Sequence, residues 1–146
     1  MPFDETYADA DLKRILTETR VVAVVGMTPD AARPDHFVPA IMQARGMRII
    51  PVNPKYAGQE ILGETVYGSL AEAGQALGDA IEMVDVFRRP AQVPPVVDEA
   101  LQYLPGLKVI WMQVGIAHAE AAAQARAAGV DVVMNRCPKI EFARLF

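Results

Sequence analysis

Five short apolar runs punctuate the chain: Val21 to Gly26, Arg48 to Asn53, Glu82 to Phe87, Lys108 to Met112 and Asp131 to Met134. Runs of this length, rich in valine and isoleucine, predict strands buried on both faces, the habit of parallel sheets. The intervals between them suit helical crossovers. Pro34 to Arg45 and Pro95 to Leu104 carry apolar residues three and four apart, and Ala117 to Ala128 is rich in alanine and stops at Gly129, a favoured residue just past a helix end. Ser69 followed three residues later by Glu72 is a capping-box signal for a short helix over Leu70 to Leu77. An opening helix from about Asp9 to Glu18 places Leu12, Ile15 and Leu16 on one face. After that helix the order is β, α, β, short β or loop, α, β, α, β, α, β. It predicts an α/β fold, a doubly wound parallel sheet of about five strands with helices on both faces. No repeat or linker interrupts the pattern, so residues 1–146 read as one domain.

The first run, Val21 to Val25, ends in Gly26-Met27-Thr28-Pro29, with Arg33-Pro34-Asp35 a few residues on. A glycine at the tip of a strand lets the backbone turn sharply into a helix. A helix starting near Pro34 or Asp35 presents unpaired N–H groups and the positive end of its dipole toward that tip, and Arg33 adds a full charge. Such a loop suits a phosphate, although α/β domains that bind nothing contain it too.

The bulk numbers narrow the function class. At 146 residues and 52% hydrophobic side chains the chain can bury a full core without disulfides or metals. Its one cysteine, Cys137, suits a reducing compartment, and the acidic start Met1-Pro2-Phe3-Asp4-Glu5 lacks the positive region of a secretion signal. No stretch has the apolar length of a membrane span. A cytoplasmic protein is expected. A net charge of -4 without a long run of Lys or Arg argues against a nucleic-acid partner.

Ligands of such sheets sit beyond the carboxyl ends of the strands, and the residues there are biased toward positive charge. Arg33 follows the first run, Asn53-Pro54-Lys55 the second, Arg88-Arg89-Pro90 the third, and Arg136 and Lys139 the fifth. Cations gathered at one edge of an acidic protein imply an anionic ligand held by local focusing. NAD fits poorly. Gly26-Met27-Thr28-Pro29-Asp30-Ala31 lacks the second and third glycines of the dinucleotide fingerprint, and the second run ends in Asn53 and Lys55 where NAD sites place an acid for the ribose hydroxyl. Lys55 suits a phosphorylated ribose, as in NADP or coenzyme A. No glycine precedes Lys-Ser or Lys-Thr, so there is no P-loop.

Several ordered motifs then carry a family resemblance. Val24-Val25-Gly26-Met27-Thr28, Ala32-Arg33-Pro34, Pro51-Val52-Asn53-Pro54, Gly58 with Ile61-Leu62-Gly63, Val84-Asp85-Val86-Phe87-Arg88-Arg89-Pro90, Trp111-Met112-Gln113-Val114-Gly115 and Asn135-Arg136-Cys137-Pro138-Lys139 together resemble the small bacterial CoA-binding proteins. Those are stand-alone relatives of the CoA-binding domain of the succinyl-CoA synthetase α subunit. The resemblance spans nearly the whole chain and implies a Rossmann-like fold that binds coenzyme A. It implies that Gly26, Met27, Thr28 and Arg33 hold the pyrophosphate region and Lys55 the 3′-phosphate side. Phe87, Arg88 and Arg89 would form the loop along adenine and pantetheine, with Asn53 at the same edge. One departure stands out. Relatives commonly carry Ser directly after the Arg-Pro pair and Gly two positions later, where this chain has Asp35 and Phe37. An acid and a bulky ring there are expected to weaken phosphate approach.

Candidates for chemistry are few. Cys137 has cations close in sequence, a setting that suits a thiolate nucleophile or redox sensor, but a lone cysteine is more often a small buried hydrophobe. It follows the fifth strand and is expected on the far side of the switch point from the coenzyme, with Ile140 and Phe142 packing under the sheet edge. His118 and His36 have no partner at metal-ligand spacing. Trp111 and Met112 end the fourth strand; Trp111 is a candidate wall for adenine or pantetheine, while core packing is the favoured role of Met112. No Gly-x-Ser-x-Gly elbow is present. Enzymes related to the family use additional domains, including the one that carries their phosphorylated histidine, so His118 does not inherit that role. The leading reading is a non-catalytic module for coenzyme A or an acyl-CoA, with no catalytic or metal residues assigned. Two others remain open: a small enzyme or redox-responsive protein acting on CoA thioesters through Cys137 or His118, and an NADP or nucleotide sensor.

Overall fold

The computed structural model describes residues 5–146; the acidic start at residues 1–4 lies outside them. The elements in chain order are α1 (Asp9–Glu18), β1 (Val21–Val25), α2 (Pro34–Ala44), β2 (Arg48–Val52), β3 (Glu60–Ile61), β4 (Glu64–Thr65), α3 (Leu70–Leu77), β5 (Met83–Val86), α4 (Val93–Tyr103), β6 (Val109–Met112), α5 (Ala119–Ala127), β7 (Asp131–Val133) and α6 (Pro138–Leu145). Five strands form one parallel sheet in the order β2-β1-β5-β6-β7, and β3 and β4 pair as a small antiparallel hairpin. The chain reverses its direction of winding between β1 and β5. That is the switch point, where crossovers depart to opposite faces and leave a crevice at the strand ends.

Alternation assigns the two faces. In β1, Ala23 and Val25 face the core beneath α3, α4 and α5, whereas Val22 and Val24 face the core beneath α1, α2 and α6. Val84, Val86, Ile110 and Met112 join the first core; Met83, Trp111 and Val133 join the second.

Each apolar run is a strand, and the Ser69 hydroxyl caps α3 by accepting from the Glu72 N–H at 3.1 Å, while the Glu72 carboxylate accepts from the Gly68 N–H at 2.8 Å instead of closing the box on Ser69. Helices α4 and α6 depart from expectation. Helix α4 begins at Val93 rather than Pro95, because Pro94 and Pro95 fall in the first turn, where the missing N–H groups have no intrahelical acceptor to lose. Helix α6, which the expected order lacked, opens at Pro138 for the same reason. It buries Phe142 but leaves Ile140 57% exposed, so only Phe142 packs as expected. Among the described residues no helix is long and apolar enough to cross a membrane.

Candidate functional site

At the carboxyl end of β1 the chain stays bonded to both neighbouring strands, β2 and β5. Gly26 N–H donates to the Val52 carbonyl and Phe87 N–H to the Val25 carbonyl, both at 2.9 Å, extending the ladder one residue past the strands. Gly26 has φ +96°, and a side chain there would place its Cβ 2.4 Å from the Phe87 carbonyl oxygen. Only glycine permits both the turn and the approach.

Two adjoining clefts open at this edge. The larger, about 780 Å³, lies between the loop after β5, the start of α2, the loop after β6 and the start of α6. The smaller, about 560 Å³, lies over Gly26, Thr28, Asn53 and Lys55. Arg33, Asp35, Phe87 and Arg88 line both, so the clefts meet at the switch point.

The residues expected there divide into three groups. Gly26, Thr28, Arg33, Asn53, Lys55, Phe87 and Arg88 line the smaller cleft, and Arg89 joins Arg33, Phe87 and Arg88 in the larger one. Arg88, half-buried, and Arg89, exposed, form no ion pair with any described residue. Asn53 is buried and held at both ends: its Nδ2 donates to the Met27 carbonyl and its Oδ1 accepts from the Lys55 N–H, each at 3.0 Å. It pins the loops after β1 and β2 together.

Met27 and Trp111 are corrections. Both side chains are wholly buried in the core beneath α1, α2 and α6 and line neither cleft. Trp111 is turned inward by strand alternation, and its indole Nε1 donates to the Arg136 carbonyl at 2.9 Å. Met27 is buried backbone included, and its carbonyl accepts from Asn53 Nδ2. Cys137 is a third correction. Because α6 packs back against α2, the half-buried Cys137, with Lys139 and Ile140, lines the larger cleft across from Arg33 and Phe37 instead of lying away from it. Lys139 Nζ stands 5.1 Å from the Phe37 ring centroid.

The histidines have local duties. His118 caps α5, its Nδ1 accepting from the Ala121 N–H at 3.1 Å, and His36 Nδ1 donates to the Thr28 carbonyl at 2.8 Å. Neither lines a cleft. No group of three or more metal-ligating side chains occurs among the described residues.

The fully buried acid Asp85 was not among the expected site residues. Asp85 lies in mid-sheet between Val24 and Trp111, fully buried, with Gln113 Nε2 at 3.3 Å from one carboxyl oxygen and 3.5 Å from the other. Burial pushes its pKa up to about 7, against the opposing pull of the Gln113 hydrogen bond. Gln113 in turn lines the larger cleft. The signal available in the sequence was an acid inside an otherwise apolar run, Met83-Val84-Asp85-Val86.

A parallel sheet with its crevice at the switch point is an α/β domain of the Rossmann-like class, and its crevice is rimmed by Arg88 and Arg89, which have no ion-pair partner among the described residues. The chain belongs to the CoA binding domain family, whose model matches residues 20–143. It is 37% identical over 134 residues to the uncharacterized protein YneT of Bacillus subtilis (strain 168), covering 92% of this chain and 93% of that protein. A solved Thermus thermophilus structure is 34% identical with a TM-score of 0.86, covering 96% of this chain and all of that one. A hypothetical protein from Pyrococcus horikoshii OT3 is also 34% identical, with a TM-score of 0.85, covering 98% of this chain and 99% of its own.

Proposed function

We propose that this protein is a non-catalytic binding module for coenzyme A or an acyl-CoA, held across the two clefts at the strand ends. The observation that carries the reading is the pair of adjoining clefts walled by Arg88 and Arg89, neither of which is neutralised by a described residue, in a member of the CoA binding domain family. An extended anion with two separated phosphate groups matches that layout: Arg33 and Arg88 stand at the junction, and Lys55 stands in the smaller cleft. The reading without catalysis is supported by the two histidines, both engaged in local hydrogen bonds and neither lining the two clefts.

A thermal-shift panel with CoA, acetyl-CoA, NADP, NAD and ATP tests the ligand class. A ligand at ~100 times its dissociation constant adds about 2.7 kcal/mol of stability. CoA and acetyl-CoA are expected to raise the melting temperature most; a larger rise with NADP would favour the nucleotide-sensor reading. Cys137 in the larger cleft favours a second reading, thiol chemistry on a CoA thioester. A mass increase of the intact protein after incubation with acetyl-CoA, lost in Cys137→Ser, would replace the passive module with that reading.

A further inference from the structure

Among the described residues, four large apolar side chains are conspicuously exposed: Tyr103, Val114, Ile140 and Phe146. Val114, 60% exposed, and Ile140, 57% exposed, both line the larger cleft, whereas the other two line neither. They come from separate elements, the loop after β6 and the first turn of α6, and they share the cleft with half-buried Ile116 and Phe37. The smaller cleft has no aliphatic side chain other than prolines and presents Thr28, Asp30, Asn53 and Lys55. One cleft is therefore polar, and the other joins arginines to an apolar wall.

We propose that the larger cleft takes the acyl group of an acyl thioester of coenzyme A, with Val114, Ile116, Ile140 and Phe37 covering its aliphatic chain. This rests on the CoA reading and adds the substrate class. Free CoA ends in a thiol on a polar amide arm and leaves an apolar wall wet; an acyl chain continues from that sulfur and buries it. A second copy of this chain fits the wall less well. A two-fold contact there would set Arg88, Arg89 and Lys139 against their own images, and two exposed side chains fall far short of the roughly 800 Å² per partner of a stable interface.

The test is a calorimetric series with CoA, acetyl-CoA, butyryl-CoA and hexanoyl-CoA on the wild type and on the double variant Val114→Ser/Ile140→Ser, whose exposed positions spare the core. Affinity is expected to rise roughly two- to fourfold per added methylene once the chain reaches the wall. That makes hexanoyl-CoA at least about tenfold tighter than acetyl-CoA, and the double variant should flatten the slope. CoA binding with no dependence on chain length would overturn the acyl assignment and leave the CoA reading standing. Failure of every member of the series, CoA included, would overturn both. A wild-type dimer in sedimentation that the double variant converts to monomer, without chain-length dependence, would assign the wall to a second copy and overturn the proposal.

Discussion

The Thr28 hydroxyl donates to the Asp35 carboxylate at 2.6 Å, at the mouth of α2 where the two clefts meet. The same carboxylate accepts from Arg33 Nε at 3.2 Å and from its terminal nitrogen at 3.1 Å, and the Asp35 side chain is only 11% exposed. An internal anion thus holds the hydroxyl and guanidinium that a phosphate would use. It also complements the dipole at the start of α2.

Asp35→Ser is therefore expected to tighten CoA binding by about tenfold, since one charge-assisted competitor at roughly 1.5–3 kcal/mol is removed from the phosphate's donors. The melting temperature should fall slightly with loss of the helix-dipole contact. Calorimetry on the variant checks the direction. Weaker binding would mean that Asp35 accepts a hydrogen bond from the ligand.

Lys55 should set the preference for the 3′-phosphate. CoA is expected to bind roughly tenfold or more tightly than dephospho-CoA, at about 1.5–3 kcal/mol per charge-assisted contact. In Lys55→Ala the two ligands should become nearly equal. Equal affinities already in the wild type would remove Lys55 from the site.

The neighbouring arginines should contribute unequally. Arg88 is half-buried and lines both clefts, whereas Arg89 is exposed and lines one. Arg88→Ala is expected to weaken CoA binding by about 1.5 kcal/mol or more and Arg89→Ala by clearly less, in parallel titrations. The reverse order would move the phosphates toward the larger cleft.

The buried carboxyl of Asp85 should make stability depend on pH. Its pKa rises from the ordinary 3.8 to about 7 on folding, so between those values the native state holds a proton that the unfolded chain has released. Stability falls as pH rises through that window, and the loss is complete above about pH 7. Denaturant unfolding at pH 5 and pH 8 should show the wild type losing on the order of 1–3 kcal/mol and Asp85→Asn losing much less. A wild type as stable at pH 8 as at pH 5 would contradict the assigned ionisation.

The strands were legible because each apolar run is long enough to cross the sheet and is bounded by glycine, proline or charge. What such runs conceal is facing. A strand buried on both sides carries no polar alternation, so Trp111 and Met112 look equivalent until neighbouring strands assign them to opposite cores. The cation set at the strand ends was legible for a related reason: topology alone brings Arg33, Lys55 and Arg88 to one edge. Cys137 was misplaced because its position depends on α6 returning against α2, a tertiary contact with no local signature. The Asp85–Gln113 contact is of the same kind, joining residues 28 positions apart across adjacent strands.

Coenzyme A is expected at the edge where β1 and β5 part. Calorimetric titration of CoA into the wild type and into Arg88→Glu tests it most directly, because that charge reversal acts where the clefts join. One CoA per chain is expected in the wild type and at least about a hundredfold loss in the variant, from a lost charge-assisted contact plus repulsion. Absence of binding by the wild type, or the same affinity in both proteins, would contradict it.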